Sequence, residues 1–94
     1  MYDLIINNAH IIDGTGKSSF TGNLAVDDGI VVNRGKKDLG EAKQVINAKG
    51  LTLIPGLIDS HTHYDAQLTW DSWASPSPLL GVTTVLIGNC GFTI

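Results

Sequence analysis

Short apolar runs separated by turn-forming residues dominate the first half of the chain. The runs are rich in Leu, Ile and Val and are interrupted by Asn, Asp and Gly, which is typical of short strands joined by turns. Over residues 2–12 this pattern predicts a first β-hairpin with its turn at Asn7-Asn8. A second hairpin is predicted over residues 23–32, because Asp28-Gly29 can supply the two positive φ angles of a type I′ turn.

The next segment predicts a loop followed by two more strands. Residues 35–42 are polar and Lys-rich, which indicates a surface loop with one helical turn near Leu39. Residues 44–48 are predicted to be a short strand, and residues 51–54, which are apolar and β-branched, are predicted to be another. The first part of the chain is therefore all β, and we place a boundary at Pro55, giving domains 1–54 and 55–94.

The second part predicts a different arrangement, in which two parallel strands are joined by a crossover. Strands are expected over residues 57–63 and 82–87, and Ser77-Pro78-Leu79-Leu80-Gly81 predicts one helical turn with Ser77 as its N-cap. The loop between Tyr64 and Ser77 holds Trp70 and Trp73, which we expect to be packed. A strand, a helical turn and a second strand form a βαβ unit, so the chain is β-rich α/β overall.

Candidate metal ligands lie where the predicted parallel strands end. Asp59, His61 and His63 alternate in sequence, so on a strand their side chains would share one face. Cys90 follows the second strand, and imidazole, carboxylate and thiolate are all zinc donors. Each residue also has an ordinary structural interpretation: the histidines as a hydrogen-bonded pair, Asp59 as a cap, Asp65 as a turn residue and Cys90 as a buried thiol. Spacing alone leaves both interpretations open.

Length, charge and composition exclude several classes of function. The formal net charge is −3, and the six Lys and Arg residues are scattered without forming a basic stripe, so nucleic acid is not expected as a partner. The N-terminus lacks a basic leader and a long apolar run, so neither a signal peptide nor a membrane span is expected. A single cysteine fits a reducing compartment, which predicts a cytoplasmic protein.

Several motifs resemble one enzyme family. The order Asp13-Gly14-Thr15-Gly16, then Ile54 to His63, resembles the N-terminus of an amidohydrolase-superfamily enzyme. Residues 63–67, 75–78 and Gly88-Asn89-Cys90-Gly91 resemble its D-aminoacylase branch, the N-acyl-D-amino-acid deacylases. The resemblance covers essentially the whole chain.

This resemblance implies a fold and a chemistry. The β-rich start would be part of a β-sandwich of short antiparallel strands, and the remainder would be the first βαβ unit of a metal-dependent (β/α) barrel. That barrel is incomplete here, because a closed one needs roughly 250 residues. By this resemblance, Cys90 would help to hold a tightly bound zinc ion together with two later histidines, and His61 and His63 would line a second, weaker metal position. The metal would activate water and polarise the amide of an N-acyl-D-amino acid. The later histidines and the catalytic aspartate of the family have no counterpart in these 94 residues. The chain alone is expected to bind zinc weakly and to be inactive.

Two other hypotheses remain at this point. The chain could be a non-catalytic β-rich module that forms homo-oligomers, since lone barrel strands leave open edges for pairing. It could also be a standalone zinc-binding domain, which would require close to one metal ion per chain.

Overall fold

This computed structural model describes residues 1–88 of the chain. These residues form seven strands, one short α-helix and one 3₁₀-helix. The elements are β1 (Tyr2–Ile11), β2 (Phe20–Asp27), β3 (Ile30–Gly35), β4 (Ala42–Asn47), β5 (Thr52–Leu53), β6 (Leu57–Asp59), α1 (Tyr64–Gln67), the 3₁₀-helix (Ser77–Leu80) and β7 (Val82–Val85). The predicted β-rich character is confirmed. The chain forms two compact units, Met1–Pro55 and a second that begins at Gly56.

The first unit is built on a five-stranded sheet centred on β1. The strand order is β3-β2-β1-β4, and β5 also pairs with β1. The β1–β2 and β2–β3 pairs are antiparallel, as short hairpin-connected strands require. Strands β4 and β5 instead run parallel to β1. The sheet is therefore mixed, whereas the sequence pattern predicted antiparallel strands only.

The hairpin predicted over residues 2–12 is wrong, because these residues form one continuous strand with an irregularity at Asn8. This residue has φ 62°, a left-handed conformation that Asn tolerates better than most residues. Its backbone N–H donates to Asn23 Oδ1 at 3.0 Å, and its Nδ2 donates to Asn47 Oδ1 at 3.1 Å. The register between β1 and β2 shifts at this point. The irregularity is therefore a β-bulge held by side chains from two other strands.

The second predicted hairpin is confirmed, with Asp28 at φ 50° and Gly29 at φ 73° joining β2 to β3. The helical turn predicted near Leu39 is wrong, since no helix forms between β3 and β4. Asn23 Nδ2 donates to the Lys37 carbonyl oxygen at 2.9 Å and ties this loop to β2. A side chain on the sheet thus satisfies part of the loop's backbone in place of a helical hydrogen bond.

The core of the first unit is small and lies along β1. Ile5 and Ala9 are almost completely buried, and the described core also includes Ile11, Ala25 and Ala48. Partly buried apolar side chains pack against Ala9, Ile11 and Ala48; these are Ile6, Phe20, Leu24 and Leu53. The central strand therefore supplies three of these five buried residues, because it has neighbours on both sides.

The second unit contains the parallel pair β6–β7, as the predicted crossover requires. The chain enters this pair through a close approach of Gly56 to Thr83, whose side-chain atoms occupy the space that a Cβ would need. The 3₁₀-helix ends at Gly81 with φ 87°, as the Gly stop predicted. The first residue of this helix is Ser77, and its N-cap position is occupied by Pro76. The predicted N-cap role of Ser77 is therefore wrong.

No helix in residues 1–88 is both long enough and apolar enough to cross a membrane.

Candidate metal centre

The strand that carries the first candidate ligands ends earlier than predicted. β6 stops at Asp59, whose Oδ1 accepts a hydrogen bond from the His61 backbone N–H at 3.2 Å. A carboxylate that accepts from the amide two residues on forms an Asx-turn, which competes with extended pairing. His61 and His63 therefore follow the strand in a turn, and the predicted strand alternation through His63 is wrong.

Two hydrogen bonds fix the turn against the residue that follows β7. Thr62 is 5% exposed, and its hydroxyl donates to the Leu86 carbonyl oxygen at 2.7 Å. The Leu86 N–H in turn donates to the Asp59 carbonyl oxygen at 2.9 Å. Thr62 thus lies inward between His61 and His63, both of which are exposed. The turn presents the two imidazoles on the surface while its central residue holds the neighbouring strand.

The helix α1 begins directly after His63 and anchors two further contacts. Tyr64 is 7% exposed, and its hydroxyl lies 2.6 Å from Ser77 Oγ, which joins α1 to the 3₁₀-helix. Asp65 is also 7% exposed, and its Oδ2 accepts from the Gly88 backbone N–H at 2.9 Å. A buried carboxylate that accepts a backbone N–H is a charge-assisted hydrogen bond, which is stronger than a neutral one. The residues that follow β7 are therefore held from α1 as well as from the turn.

The two histidines that follow β6 lie side by side. Their ring centroids are 5.4 Å apart and the ring planes are tilted by 50°. Zinc–nitrogen bonds of about 2.0–2.1 Å would place each ring centre about 3.2 Å from the ion, so two rings at a tetrahedral angle have centres about 5.2 Å apart. The spacing of the His61 and His63 ring centres therefore matches that of two ligands of one zinc ion, and it also matches an ordinary contact between two rings.

The remaining candidate residues are distributed differently. The Asp59 carboxylate is engaged with a backbone amide, which matches its ordinary interpretation as a capping residue. Cys90 lies outside the described residues. Within residues 1–88 no group of three or more His, Cys, Asp or Glu side chains is placed to hold a metal. The described part of the chain thus supplies a histidine pair.

The sequence did not indicate the contacts that Thr62 and Asp65 make. It predicted Thr62 only as part of a strand and Asp65 only as a turn residue. Their partners lie 23 and 24 residues further along the chain, so no local spacing indicates the contacts. The only local signal is an acidic residue in the first turn of a helix, where carboxylates are common for electrostatic reasons.

The loop after α1 is organised by Asp71. Its carboxylate accepts from Gln67 Nε2 at 2.9 Å, from the Ser75 N–H at 2.9 Å and from the Trp73 N–H at 3.1 Å. The hydrogen bond from Gln67 is the main reason why the pKa of Asp71 lies below its usual range, followed by the bond from the Ser75 amide. Trp70 and Trp73 are 75% and 79% exposed, so the prediction that they are packed is wrong for this chain.

Comparisons with known proteins agree with this local architecture. A sequence profile described as the amidohydrolase family matches residues 44–93. The N-acyl-D-aspartate deacylase of Alcaligenes xylosoxydans xylosoxydans is 44% identical over 92 residues, covering 98% of this chain and 18% of that protein. A crystal structure of D-aminoacylase superimposes with a TM-score of 0.89 at 33% identity, covering 99% of this chain and 20% of the other.

A third relative has been solved with bound metal. The N-acyl-D-glutamate deacylase of Bordetella bronchiseptica, in complex with zinc and a phosphonate inhibitor, superimposes with a TM-score of 0.82 at 33% identity. The match covers 98% of this chain and 19% of that one. The chain thus spans about a fifth of the length of these three relatives. The chain belongs to the amidohydrolase family, within which it matches the N-terminal portion of the D-aminoacylases.

Proposed function

We propose that this chain supplies the first part of a zinc-dependent amidohydrolase that hydrolyses N-acyl-D-amino acids. The observation that carries the proposal is the histidine pair at the end of β6, whose 5.4 Å ring spacing fits one zinc ion. Two of the compared relatives are named for the removal of acyl groups from D-amino acids. We therefore assign the same substrate class to the protein in which these residues act.

The donor set of the proposed site is His61, His63 and Cys90. Two imidazoles and a thiolate are donors that zinc prefers, and a lone thiol suits a reducing, cytoplasmic setting. Zinc at such a site would supply Lewis acidity for water and for the amide carbonyl. This chain's own contribution is to hold the two imidazoles on a turn braced by Thr62, at the end of a parallel strand. Three donors from this chain alone are expected to bind zinc weakly.

The two compact units receive corresponding assignments in this proposal. Residues 1–54 would form a portion of a β-sandwich, and residues 55–94 would form the first strands of a (β/α) barrel. The parallel β6–β7 pair supports the second assignment, because functional groups of such barrels collect at the carboxyl ends of their strands.

Cobalt titration of the purified chain tests the metal assignment. Co²⁺ replaces zinc and reports thiolate ligation through a charge-transfer band, so the wild-type chain should show this band at high cobalt. Cys90→Ala should abolish the band, and the His61→Ala/His63→Ala double variant should weaken binding. His10→Ala is the matched control, because His10 is an exposed histidine on β1 in the other unit. A band that survives the double variant unchanged contradicts the assignment of the histidines.

A hybrid enzyme tests the assignment of substrate class. Residues 1–94 would replace the matching segment of the Alcaligenes N-acyl-D-aspartate deacylase, and release of D-aspartate would be measured. We expect a folded hybrid to be active, and its His61→Ala and Cys90→Ala forms to lose most activity, whereas its His10→Ala form should not. A folded hybrid without activity would count against the proposal. The 94-residue chain itself is expected to show no turnover.

A second function, self-association, is favoured by the apolar surface of the second unit. Ile58 on β6 is 69% exposed, and Leu79 and Leu80 of the 3₁₀-helix are 86% and 70% exposed. Contiguous exposed apolar patches are typical of contact surfaces, and unpaired strand edges invite pairing with another chain. We propose that copies of the chain associate through this surface and through the edges of the β6–β7 pair. Sedimentation equilibrium should reveal dimers or larger species, and Ile58→Glu should shift them towards monomer. A wild-type chain that stays monomeric at every accessible concentration excludes this function.

A further inference from the structure

A cavity of about 520 Å³ that is open to solvent lies on the first unit, beside the bulge in β1. This volume is within the range of about 300–1,000 Å³ that is typical of sites for small ligands. Its polar side chains come from three strands and one turn, and they are Asn8, His10, Thr21, Thr52 and Lys49. The cavity shares no residue with the proposed metal site, so a ligand bound here would not depend on that site.

Strand register places three of these side chains in one row. His10 on β1 lies opposite Thr21 on β2 and opposite Thr52 on β5. Opposite residues of neighbouring strands project from the same face of a sheet, and the strands are about 4.8 Å apart. The two threonine side chains therefore lie on either side of the imidazole, within about 10 Å of each other.

The turn that carries Lys49 is fixed against this row. The Leu51 N–H donates to the Ala48 carbonyl oxygen at 2.9 Å and closes the turn. The Leu51 carbonyl oxygen accepts from the His10 N–H at 3.0 Å, which joins the turn to β1. The backbone is therefore held by hydrogen bonds on both sides of Lys49.

The side chains of the cavity can donate hydrogen bonds and include one positive charge. Lys49 supplies an ammonium, Thr21 and Thr52 supply hydroxyls, and no described Asp or Glu lines the cavity. Within residues 1–88 these three side chains form no hydrogen bond or ion pair with another residue, whereas Lys43 is paired with Asp3. An unpaired ammonium beside hydroxyl donors favours an anion with several oxygens, and a phosphate group presents three of them.

We propose that this cavity binds a phosphate group, either as free phosphate or as part of a small phosphate ester. Lys49 contributes the positive charge, and the hydroxyls of Thr21 and Thr52 donate to the phosphate oxygens. A carboxylate has two oxygens and a smaller charge, so it leaves donors unused and binds less tightly. The cavity is larger than a phosphate ion needs, so it also has room for the organic part of an ester.

NMR titration of the 94-residue chain at constant pH and ionic strength tests the proposal, with inorganic phosphate, glycerol phosphate and acetate as separate probes. Phosphate should shift the His10 ring signals in a saturable way, because that ring lies between the two threonines. The ring signals of His61 and His63, in the other unit, are the internal reference. Saturation by inorganic phosphate assigns free phosphate, and saturation by glycerol phosphate alone assigns an ester. The proposal is overturned if neither phosphate gives a saturable shift of His10, if all three histidines shift equally, or if acetate binds as tightly.

Paired variants test the donors. Lys49→Gln should weaken phosphate binding about two- to fivefold, as loss of one exposed ion pair predicts, and Lys49→Arg should restore most of it. The Thr21→Val/Thr52→Val variant should weaken binding about tenfold, whereas Thr21→Ser/Thr52→Ser retains the hydroxyls and the affinity. Lys17→Gln is the matched control, because Lys17 is an exposed lysine of the same unit that does not line the cavity. Equal weakening by Lys49→Gln and Lys17→Gln would mean that binding responds only to net charge, and it would overturn the site.

Discussion

The close approach between Gly56 and Thr83, where the chain enters β6, makes a sharp stability prediction. A Cβ at position 56 would overlap Thr83 Oγ1 and Cγ2, and it would lie 2.8 Å from Thr83 Cβ. Carbon atoms normally approach to about 3.5–4.0 Å, so Gly56→Ala requires β6 and β7 to separate locally by roughly an ångström. Thr83 is β-branched and cannot easily rotate away.

The cost follows from this geometry. Overpacking of this kind typically costs about 1–3 kcal/mol, against which Gly→Ala recovers about 0.4–1 kcal/mol by reducing the backbone entropy of the unfolded chain. The coupling between positions 56 and 83 is cleaner, because the entropy contribution cancels in a double-mutant cycle. Thr83→Ala relieves the overlap with Oγ1 and Cγ2 only, whereas Thr83→Gly relieves all three contacts. We expect a favourable coupling of about 1–3 kcal/mol with Thr83→Gly and a smaller one with Thr83→Ala.

Urea unfolding followed by tryptophan fluorescence measures this cycle. The chain has two tryptophans, Trp70 and Trp73, and both lie in the unit that contains the variants. Gly56→Ala alone should lower the unfolding midpoint, and the second substitution should raise it again. Effects that add within about 0.3–0.5 kcal/mol would refute the steric argument, since independent sites behave in that way.

Three further predictions test other parts of the fold. The hydrogen bond from Gln67 is the main reason why the pKa of Asp71 lies below its ordinary value of 3.8. The ionised carboxylate should therefore stabilise its loop above pH 3.8, and this stabilisation should be lost as the pH falls below that value. Tryptophan fluorescence should show an acid transition in the wild-type chain that Asp71→Asn lacks. Gly29→Ala forces a left-handed φ of 73° on alanine and should cost about 1–2 kcal/mol in urea unfolding, with no loss contradicting the turn assignment. Ile5→Ala, at 1% exposure, should cost about 2–5 kcal/mol, whereas its β4 neighbour Val45, at 55% exposure, should tolerate alanine with a much smaller loss.

The features that the sequence predicted correctly are those whose causes are local. Asp28-Gly29 predicts its own turn, because the positive φ angles depend on these residues alone. The parallel β6–β7 pair follows from strand patterns joined by a crossover. The adjacency of His61 and His63 was expected, although it arises from an Asx-turn at Asp59 instead of a continued strand.

The features that were missed depend on distant partners. Asn7-Asn8 has the composition of a turn. Hydrogen bonds from Asn8 to Asn23 on β2 and Asn47 on β4 instead hold it as a bulge within a strand. Asp65 likewise has the composition of a helix start, and its role depends on Gly88. A single sequence contains the residues that make such contacts, but it does not indicate which residues contact each other in the fold.

The pairing of β1 with β4 has a consequence for the order in which the chain can fold. Tyr2 lies opposite Ala42, so this side of β1 has no partner until some forty further residues have been synthesised. The β2–β3 hairpin is local and can close early, because short loops form faster than distant pairings. During translation the central strand is therefore completed late, and its unpaired edge is a site where a nascent chain can associate with another.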